Sequence, residues 1–367
     1  MDLAFDITRM ISRRHLGGTS GIDRVDRAYF AFVREEGGIF VAKLGGQMRV
    51  LSRDGAEHAL ALPPRSNNGV SARVAEGRAL MRLSQRWKGQ AIYLNTSHSN
   101  PGPRHLHAMK KRGCRILFLI HDLLPLSHPE YFRSETRRSF DSFATHVAGY
   151  ADIVLANSSD TAQQWSGFFP QAPKAHVVPL GTEPLPEVTP DPEAEPYFLM
   201  LGTVEPRKNH AFALDVWERL GAQAPRLHVV GRPGWAAPDL FARLDAAVNV
   251  TWHQKMDDAA LAKLLGGARA LLFPSHAEGY GYPPVEAAML GTPTVSAPLP
   301  TVREALGAAV MQLPLDENLW AAEALRRSQD TFPEFLRRRH VFLNYNPPSW
   351  REHFNLLNEC IVKNHCG

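Results

Sequence analysis

The chain has 367 residues, of which 44% are hydrophobic and 21% charged, proportions typical of a soluble globular protein. A chain of this length is too long to fold around one ordinary hydrophobic core, which predicts two domains. Residues 1–185 hold 24 Lys and Arg against 16 Asp and Glu, whereas the remainder holds 17 against 21. The basic charge of residues 1–185 could face a phosphate-bearing partner, an anionic membrane surface or only solvent. The basic residues are not interleaved with aromatic residues, which argues against a nucleic-acid partner.

The three cysteines, Cys114, Cys360 and Cys366, lack metal-ligand spacing, and their odd number argues against a disulfide framework. No stretch reaches the ~18 uncharged apolar residues of a spanning helix, and the amino terminus lacks the apolar run of a signal peptide. We therefore expect a cytoplasmic protein that is able to attach to the inner face of the cytoplasmic membrane.

Short apolar runs alternate with longer helical patterns, which predicts parallel sheets wrapped by helices. The strands predicted in chain order are Leu3–Ile7, Ile92–Leu94, Ile116–Ile120, Ile153–Ala156, Tyr197–Leu201, Leu227–Val230, Ala270–Phe273, Thr294–Ser296 and Val310–Leu313. Between the fourth and fifth strands, Pro184–Pro196 is rich in proline and acids and is predicted to be an interdomain linker. The tail from Pro347 carries Trp350, Phe354, Leu357 and Ile361 at helical spacing.

Polar and glycine residues follow several of these strands. Because ligands of such sheets bind at the carboxyl ends of the strands, these segments are the candidate site. They are His121-Asp122, Asn157-Ser158, residues 202–209, Gly231-Arg232 and residues 274–282.

The segment from Glu278 to Glu286 is the strongest single feature. Gly279, Tyr280 and Gly281 lead into two prolines that favour a helix start, so backbone N–H groups and the helix N-terminus are predicted to face an anion. Two carboxylates held this way suit polyhydroxyl groups. We expect Glu286 inside the first helical turn, where an acid also stabilises a helix without any ligand.

Two cations, Arg207 and Lys208, follow the first strand after the linker. In that position they are suited to neutralise a diphosphate and to stabilise it as it departs, although a surface Arg-Lys pair is often only solvated. His121 follows another apolar strand, where a histidine is either structural or directed at a ligand. His98, His105 and His107 lack matching acids and cysteines, and no metal site is expected.

The chain resembles the retaining glycosyltransferases of family 4, in their bacterial polysaccharide and lipopolysaccharide branch. The resemblance rests on GTVEPRKN (202–209), VVGRPGW (229–235) and FPSHAEGYGYPPVEAAMLGTPTVSA (273–297), and more loosely on SGIDRV (20–25), LIHDLLP (119–125) and ANSSDT (156–161). It implies an α/β GT-B fold, with two Rossmann-like domains whose parallel sheets face each other across a cleft. Residues 1–185 are then the acceptor-side domain and 186–346 the donor-binding domain, with a helix in 347–367 packing back on the first.

The resemblance also implies residue roles. The catalytic set is His121, Glu278, Arg207 and Lys208, in which Glu278 holds hydroxyls of the donor sugar and His121 approaches the transferred sugar. The nucleotide-sugar contacts are Gly21, Arg207, Lys208, Arg232, Gly279, Tyr280, Gly281 and Glu286, the last on the ribose. Asp23 stands where the family usually has a glycine. This departure from the family pattern argues against a close approach of the diphosphate to this loop. Which of Trp252, His253 or Met256 would lie against the base stays open.

The expected reaction transfers a hexose to a glycan or polyprenyl-diphosphate-linked acceptor with retention of configuration. The donor expected first is GDP-mannose, and UDP-sugars come next. No hydrophobically flanked Asp-x-Asp is present, so the cations are expected to act without a metal or other cofactor. The alternatives are a non-catalytic sugar-nucleotide-binding partner and an epimerase or phosphorylase of the same fold.

Overall fold

The computed structural model describes residues 3–14, 20–62, 84–86, 91–342 and 345–364. Their contacts divide the chain into two compact units. The first contains the described residues of Met1–Ser127, Phe132–Leu180 and Trp350–Gly367, and the second contains His128–Tyr131 and Gly181–Ser349.

The described sheet of the first unit has the strand order β4-β3-β2-β1-β5-β6-β7-β8. Its strands are β1 Leu3–Asp6, β2 Ile39–Leu44, β3 Gln47–Leu51, β4 Ser84–Arg86, β5 Ile92–Asn95, β6 Arg115–Ile120, β7 Ile153–Ala156 and β8 Ala175–Val177. Its helices are α1 Thr8–Arg13, α2 Gly21–Glu35, α3 Arg53–Ala61, α4 Pro103–Lys111, α5 Leu124–Ser127, α6 Ser134–Tyr150 and α7 Ser159–Phe168. Neighbours from β2 through β1 to β8 pair in parallel, while β3 pairs antiparallel with both β2 and β4.

The sheet of the second unit has the order β11-β10-β9-β12-β13-β14, and its neighbouring strands pair in parallel. Its strands are β9 Tyr197–Leu201, β10 Arg226–Val230, β11 Val250–His253, β12 Ala270–Phe273, β13 Thr294–Ser296 and β14 Met311–Gln312. Its helices are α8 His210–Leu220, α9 Pro238–Ala246, α10 Asp258–Gly267, α11 Tyr282–Met289, α12 Pro300–Leu306, α13 Glu317–Ser328 and α14 Phe332–His340. Alternate residues of its central strands enter two separate buried clusters, so both faces of the sheet are covered.

The predicted fold class of two parallel-sheet α/β domains is confirmed. Each strand predicted from the apolar runs is present within one or two residues. Apart from the half-buried edge strand β14, these strands lie inside the two sheets. Five further strands, β2, β3, β4, β8 and β11, were not predicted. Within the described residues, no helix combines the length and apolar character needed to cross a bilayer.

The acidic, proline-rich segment Pro184–Pro196 contains neither helix nor strand. It lies wholly in the second unit, where Leu185 and Val188 pack against a buried cluster. A Cβ at Gly266 would lie 2.6 Å from the side chain of Val188. The segment is therefore fixed along α10, and the chain passes from one unit to the other at Leu180–Gly181.

The tail forms α15, Trp350–Lys363, which belongs to the first unit. Its His353 is fully buried and forms a 2.7 Å hydrogen bond through Nδ1 to the carbonyl of Pro179. A carbonyl oxygen can only accept, so the proton of the ring is on Nδ1. Nε2 therefore accepts the hydrogen bond from the Tyr29 hydroxyl, also 2.7 Å. Phe354 stacks on Phe32 with ring centroids 4.0 Å apart. Polar and aromatic contacts thus fix the tail helix on α2.

Replacing Tyr29 by phenylalanine is expected to lower the free energy of unfolding by ~1–3 kcal/mol, because Nε2 of the buried His353 loses its donor. The urea midpoint measured by circular dichroism checks this. The matched control is Tyr150→Phe, at a half-buried tyrosine of the same unit. Equal midpoints for the two variants would show that the Tyr29–His353 bond does not stabilise the fold.

Candidate active site

The loop after β9 is shaped to bury a lysine. Pro206–Lys208 forms a 3₁₀ turn, and Asn209 then adopts a left-handed backbone with φ 59° before α8 begins. A Cβ at Gly202 would lie 3.1 Å from Cε of Lys208, so the glycine leaves room for the lysine stem. The Lys208 ammonium lies 4.9 Å from the ring centre of Phe273, a distance suited to a cation–π contact.

Four charged side chains meet at this loop. Arg207 pairs with Glu205 at 2.7 Å and with Glu278 at 2.7 Å, and Lys208 pairs with the other carboxylate oxygen of Glu278 at 2.6 Å. Arg207 also donates to the carbonyl of Ala277. We call Glu205, Arg207, Lys208 and Glu278 the charge cluster. Its two acids and two bases cancel, and all four side chains are at most 15% exposed.

The charge cluster sets the ionisation of its acids. Burial opposes the charge of Glu278, but Arg207 and Lys208 outweigh it and lower its pKa to about 2. Burial raises the pKa of Glu205 despite the same two cations. Glu278 is therefore a carboxylate at neutral pH and able to accept hydrogen bonds. Glu205 lies inside the GTVEPRKN motif but was not assigned a role from sequence.

The glycine loop ends where α11 begins. Gly281 has φ 91°, a left-handed backbone that disfavours a side chain, and Tyr282 is the first helical residue. Glu286 is therefore the fifth residue of the helix, and its predicted place inside the first turn is wrong. Proline has no N–H, so Pro283 and Pro284 contribute no backbone donor to the first turn of this helix.

Tyr280 lies between the two glycines of this loop. Its ring meets that of Tyr282 edge to face at 5.2 Å, and burial raises the pKa of its hydroxyl above the usual range. Tyr280 is thus a neutral hydroxyl group at physiological pH.

Arg232 lies on the adjoining loop after β10. Its side chain is exposed, and its carbonyl accepts a 2.9 Å hydrogen bond from the N–H of Val204. A Cβ at Gly231 would lie 1.8 Å from the carbonyl oxygen of Gly202, so only glycine fits there. The loops after β9 and β10 are held together through the backbone, which places Arg232 beside the loop of the charge cluster.

An aromatic contact supports the loop that carries Glu278. Tyr131 stacks on His276 with ring centroids 4.8 Å apart and planes 6° apart. Nε1 of Trp235 donates to the carbonyl of Tyr131, and the N–H of His276 donates to the carbonyl of Arg207. Tyr131 was not expected here, because 145 positions of sequence separate it from His276.

The three residues considered for a nucleotide base have structural contacts. Nε1 of Trp252 donates to the carbonyl of Gly231, and His253 pairs through Nε2 with Nδ1 of His228 at 3.0 Å. Met256 packs against a buried cluster of the second unit. None of these contacts selects one of the three as the base-binding residue.

His121 and Gly21 belong to the first unit. His121 follows β6, is 5% exposed and forms a 2.5 Å hydrogen bond through Nε2 to the carbonyl of Thr96. Its N–H donates to Nε2 of His98, and its carbonyl accepts from the side chain of Asn157. Burial lowers the pKa of His121 to about 3, so the ring is neutral.

Gly21 is the first residue of α2, because Ser20 and Asp23 form a capping box there. Asp23 also pairs with Arg9 at 2.5 Å and with Arg13 at 3.4 Å. A carboxylate thus already occupies the positive end of this helix. A diphosphate at Gly21 would meet the negative charge of Asp23, the residue that replaces the family's glycine.

The structure brings Arg207, Lys208 and Glu278 into direct contact. It places Gly279–Gly281 and Glu286 on the continuous segment that follows, and Arg232 on the neighbouring loop. It does not test their assigned roles, which stay predictions. The unexpected contacts are the local pair of Glu205 with Arg207 and the contacts of Tyr131 and His98, which depend on tertiary structure.

Acid is expected to destabilise the protein. Burial lowers the pKa of His98, His121 and His210 to about 3, and the ring nitrogens of His210 find no hydrogen-bond partner among the described residues. Between pH 6.5 and 3 the unfolded chain binds protons that the folded chain does not, so stability falls as the pH falls. The carboxyl groups whose pKa burial raises oppose this: Asp26, with a pKa of about 6, and also Asp6 and Glu205.

Thermal unfolding followed by circular dichroism at pH 7.5, 6 and 5 checks this, with a midpoint several degrees lower expected at pH 5. The variant His210→Leu removes one of these histidines and is expected to flatten the dependence. A midpoint that does not fall between pH 7.5 and 5 would contradict neutral buried histidines.

Two family models match the chain in succession. The one described as Glycosyltransferase Family 4 matches residues 40–185, and the one described as Glycosyl transferases group 1 matches residues 182–332. The second range contains the whole charge cluster and α11.

Similar proteins point the same way. The serotype-specific mannosyltransferase WbdA of Escherichia coli is 29% identical over 228 residues, 54% of this chain and 28% of WbdA. The O-antigen chain mannosyltransferase RfbU of Salmonella typhimurium is 30% identical over 158 residues, 42% of this chain and 43% of RfbU. The chain thus spans less than half the length of either relative.

A solved structure extends the comparison to the whole fold. The crystal structure of Anabaena HepE in complex with UDP-glucose matches with a TM-score of 0.67 and 14% identity, covering 99% of this chain and all of HepE. At this identity the match shows the fold alone. The two family models and the mannosyltransferase relatives together support the GT4/GT-B superfamily of glycosyltransferases for this chain.

Proposed function

We propose that this protein transfers a hexose from a nucleotide diphosphate sugar to a glycan or lipid-linked glycan acceptor in the synthesis of a surface polysaccharide. The donor we favour is GDP-mannose, and the transfer retains the anomeric configuration. The observation that carries the proposal is the charge cluster, in which Arg207 and Lys208 meet Glu278 at the carboxyl edge of the second sheet.

The charge cluster is arranged for an exchange of partners. The two carboxylate oxygens of Glu278 pair with Arg207 and Lys208. An incoming diphosphate offers the two cations another anion, which frees the carboxylate oxygens of Glu278 to accept hydrogen bonds from sugar hydroxyls. Arg207 keeps its bond to Glu205 during this exchange, so its guanidinium remains anchored.

The same cations act on the leaving group. As the sugar–phosphate bond breaks, negative charge grows on the diphosphate, and fixed cations in a buried site stabilise that charge. Arg207 and Lys208 supply this stabilisation from the side chains of the chain itself. Transfer is therefore proposed to proceed without a metal ion.

The remaining roles follow the family resemblance. Glu286 is proposed to bind the ribose, and Gly279–Gly281 to present backbone N–H groups to the phosphates. His121 is proposed to contact the transferred sugar. Its ring is neutral, with Nε2 already donating to Thr96, which leaves Nδ1 as a hydrogen-bond acceptor for a sugar hydroxyl.

The choice of sugar rests on the relatives. WbdA and RfbU are named as mannosyltransferases, which favours GDP-mannose over the UDP-glucose bound by HepE, since HepE shares only the fold. The acceptor is proposed from the O-antigen role in the name of RfbU.

The donor assignment is tested by thermal shift with GDP, UDP, ADP and dTDP, because at equal concentration the ligand with the lowest dissociation constant stabilises the protein most. We expect the largest thermal shift with GDP, and we expect that addition of EDTA does not change this shift. A larger shift with UDP would move the donor to a UDP-sugar. The absence of a shift with all four would contradict a nucleotide-sugar site.

A further inference from the structure

His98 lies in the segment between β5 and α4 and has an unusual backbone. Its φ is 55°, in the left-handed region that residues with a side chain rarely adopt. Its ring packs against Phe140 and Phe143, with centroid distances of 5.4 and 5.0 Å. Such strain persists only where surrounding contacts hold it, and it concentrates at functional sites.

The strained backbone brings the ring to one specific contact. Nε2 of His98 accepts a 3.0 Å hydrogen bond from the backbone N–H of His121. An acceptor nitrogen carries no proton, so the proton of neutral His98 resides on Nδ1. The rings of the two histidines lie 5.1 Å apart. His98 therefore contacts the point at which the chain leaves β6 and enters the loop of His121.

Two further polar groups of His121 have partners among the described residues. Nε2 donates to the carbonyl of Thr96, and the backbone carbonyl accepts from Asn157. Thr96 is fixed in turn, because its hydroxyl donates to Asp26 at 2.7 Å. The result is an imidazole held in one tautomer and one orientation, with Nδ1 as its remaining acceptor.

We propose that His98 is a positioning residue for His121: its Nε2 fixes the backbone of His121 so that Nδ1 is directed at the transferred sugar. The proposal deepens the proposed function and rests on its assignment of His121. The buried network predicts neutral histidines of opposite tautomers, with the proton of His98 on Nδ1 and that of His121 on Nε2.

The packing of His98 alone does not require a histidine. An apolar residue would fill the space beside Phe140 and Phe143, and asparagine tolerates a left-handed backbone better. What histidine adds is an acceptor that reaches the N–H of His121. The amide of glutamine reaches about as far as Nε2, whereas that of asparagine ends about where Nδ1 lies.

Three variants separate position from packing. His98→Asn suits the backbone but does not reach His121, so we expect an unchanged or higher melting temperature and a kcat about tenfold lower. His98→Leu is expected to lose a similar factor in kcat. His98→Gln restores the acceptor and is expected to recover most of the kcat. Nucleoside diphosphate affinity should be the same in all three, because the charge cluster is untouched.

Wild-type kcat in His98→Asn would overturn the proposal, as would an equal loss in His98→Gln and His98→Leu. If the variants fail to fold, the wild-type protein still decides. Long-range ¹H–¹⁵N spectra of histidine-labelled protein report the tautomers without any activity. Finding the proton of His98 on Nε2 would overturn the proposal. The predicted tautomers in a protein without transferase activity would instead show that the proposed function, and not the positioning contact, had failed.

Discussion

Replacing Glu278 by glutamine is expected to lower the turnover for sugar transfer by about a hundredfold or more. The carboxylate is ionised, with a pKa near 2, and accepts hydrogen bonds that an amide of the same shape replaces poorly. The expected effect on nucleoside diphosphate binding is opposite in kind. Arg207 and Lys208 lose a competing anion, so the affinity should stay the same or increase.

Steady-state kinetics and titration calorimetry on the same preparation measure these two effects. The matched control is Glu193→Gln, at an exposed acid of the second unit. Turnover within about threefold of wild type in Glu278→Gln would remove Glu278 from the reaction. A lost affinity for the diphosphate would contradict the exchange of partners.

Replacing Lys208 by methionine is expected to lower both turnover and diphosphate affinity, because the stem is kept while the buried ammonium is lost. Removal of one preorganised charge at a departing group typically costs about 10²–10³ in turnover. Glu278 keeps only Arg207 as a partner, so the site gains net negative charge and repels the diphosphate.

Comparing a nucleoside diphosphate with its monophosphate isolates this effect. We expect Lys208→Met to weaken the diphosphate more strongly, while Lys263→Met, at an exposed lysine of α10, changes neither. Equal weakening of both nucleotides would place Lys208 away from the diphosphate and would contradict its role at the leaving group.

Apart from the half-buried edge strand β14, the strands that were predicted from sequence lie inside the two sheets, where an apolar run is covered on both faces. The β2–β3 hairpin was missed although its signal is present. Gly45-Gly46 joins the two strands as a two-residue loop with φ 56° and 76°, the kind of turn that Gly-Gly favours. By contrast, β11 is only partly buried and carries polar residues, so its pattern does not distinguish it from a loop.

The candidate site divides in the same way. Arg207, Lys208 and Glu278 were predicted because each belongs to a short motif after a strand. Their pairing across about 70 positions was not predicted, because it depends on the order of β9 and β12 in the sheet. The place of Glu286 was misjudged because the left-handed Gly281, and not the prolines, sets where α11 begins.

Two tertiary contacts were beyond prediction from the sequence. His98 and His121 are joined by a hydrogen bond to an N–H, and Tyr131 contacts the loop of Glu278 by ring stacking. Neither contact leaves a spacing pattern, because each requires the complete tertiary fold.

The most direct test of the account combines the purified protein, GDP-mannose and a lipid-linked glycan acceptor in the presence of EDTA. We predict that a mannosylated acceptor forms with retained configuration, that GDP is released in equal amount, and that omission of the acceptor stops both. Product formation that required added metal would contradict the proposed action of Arg207 and Lys208. No acceptor-dependent product from GDP-mannose or from UDP-sugars would contradict the transferase itself.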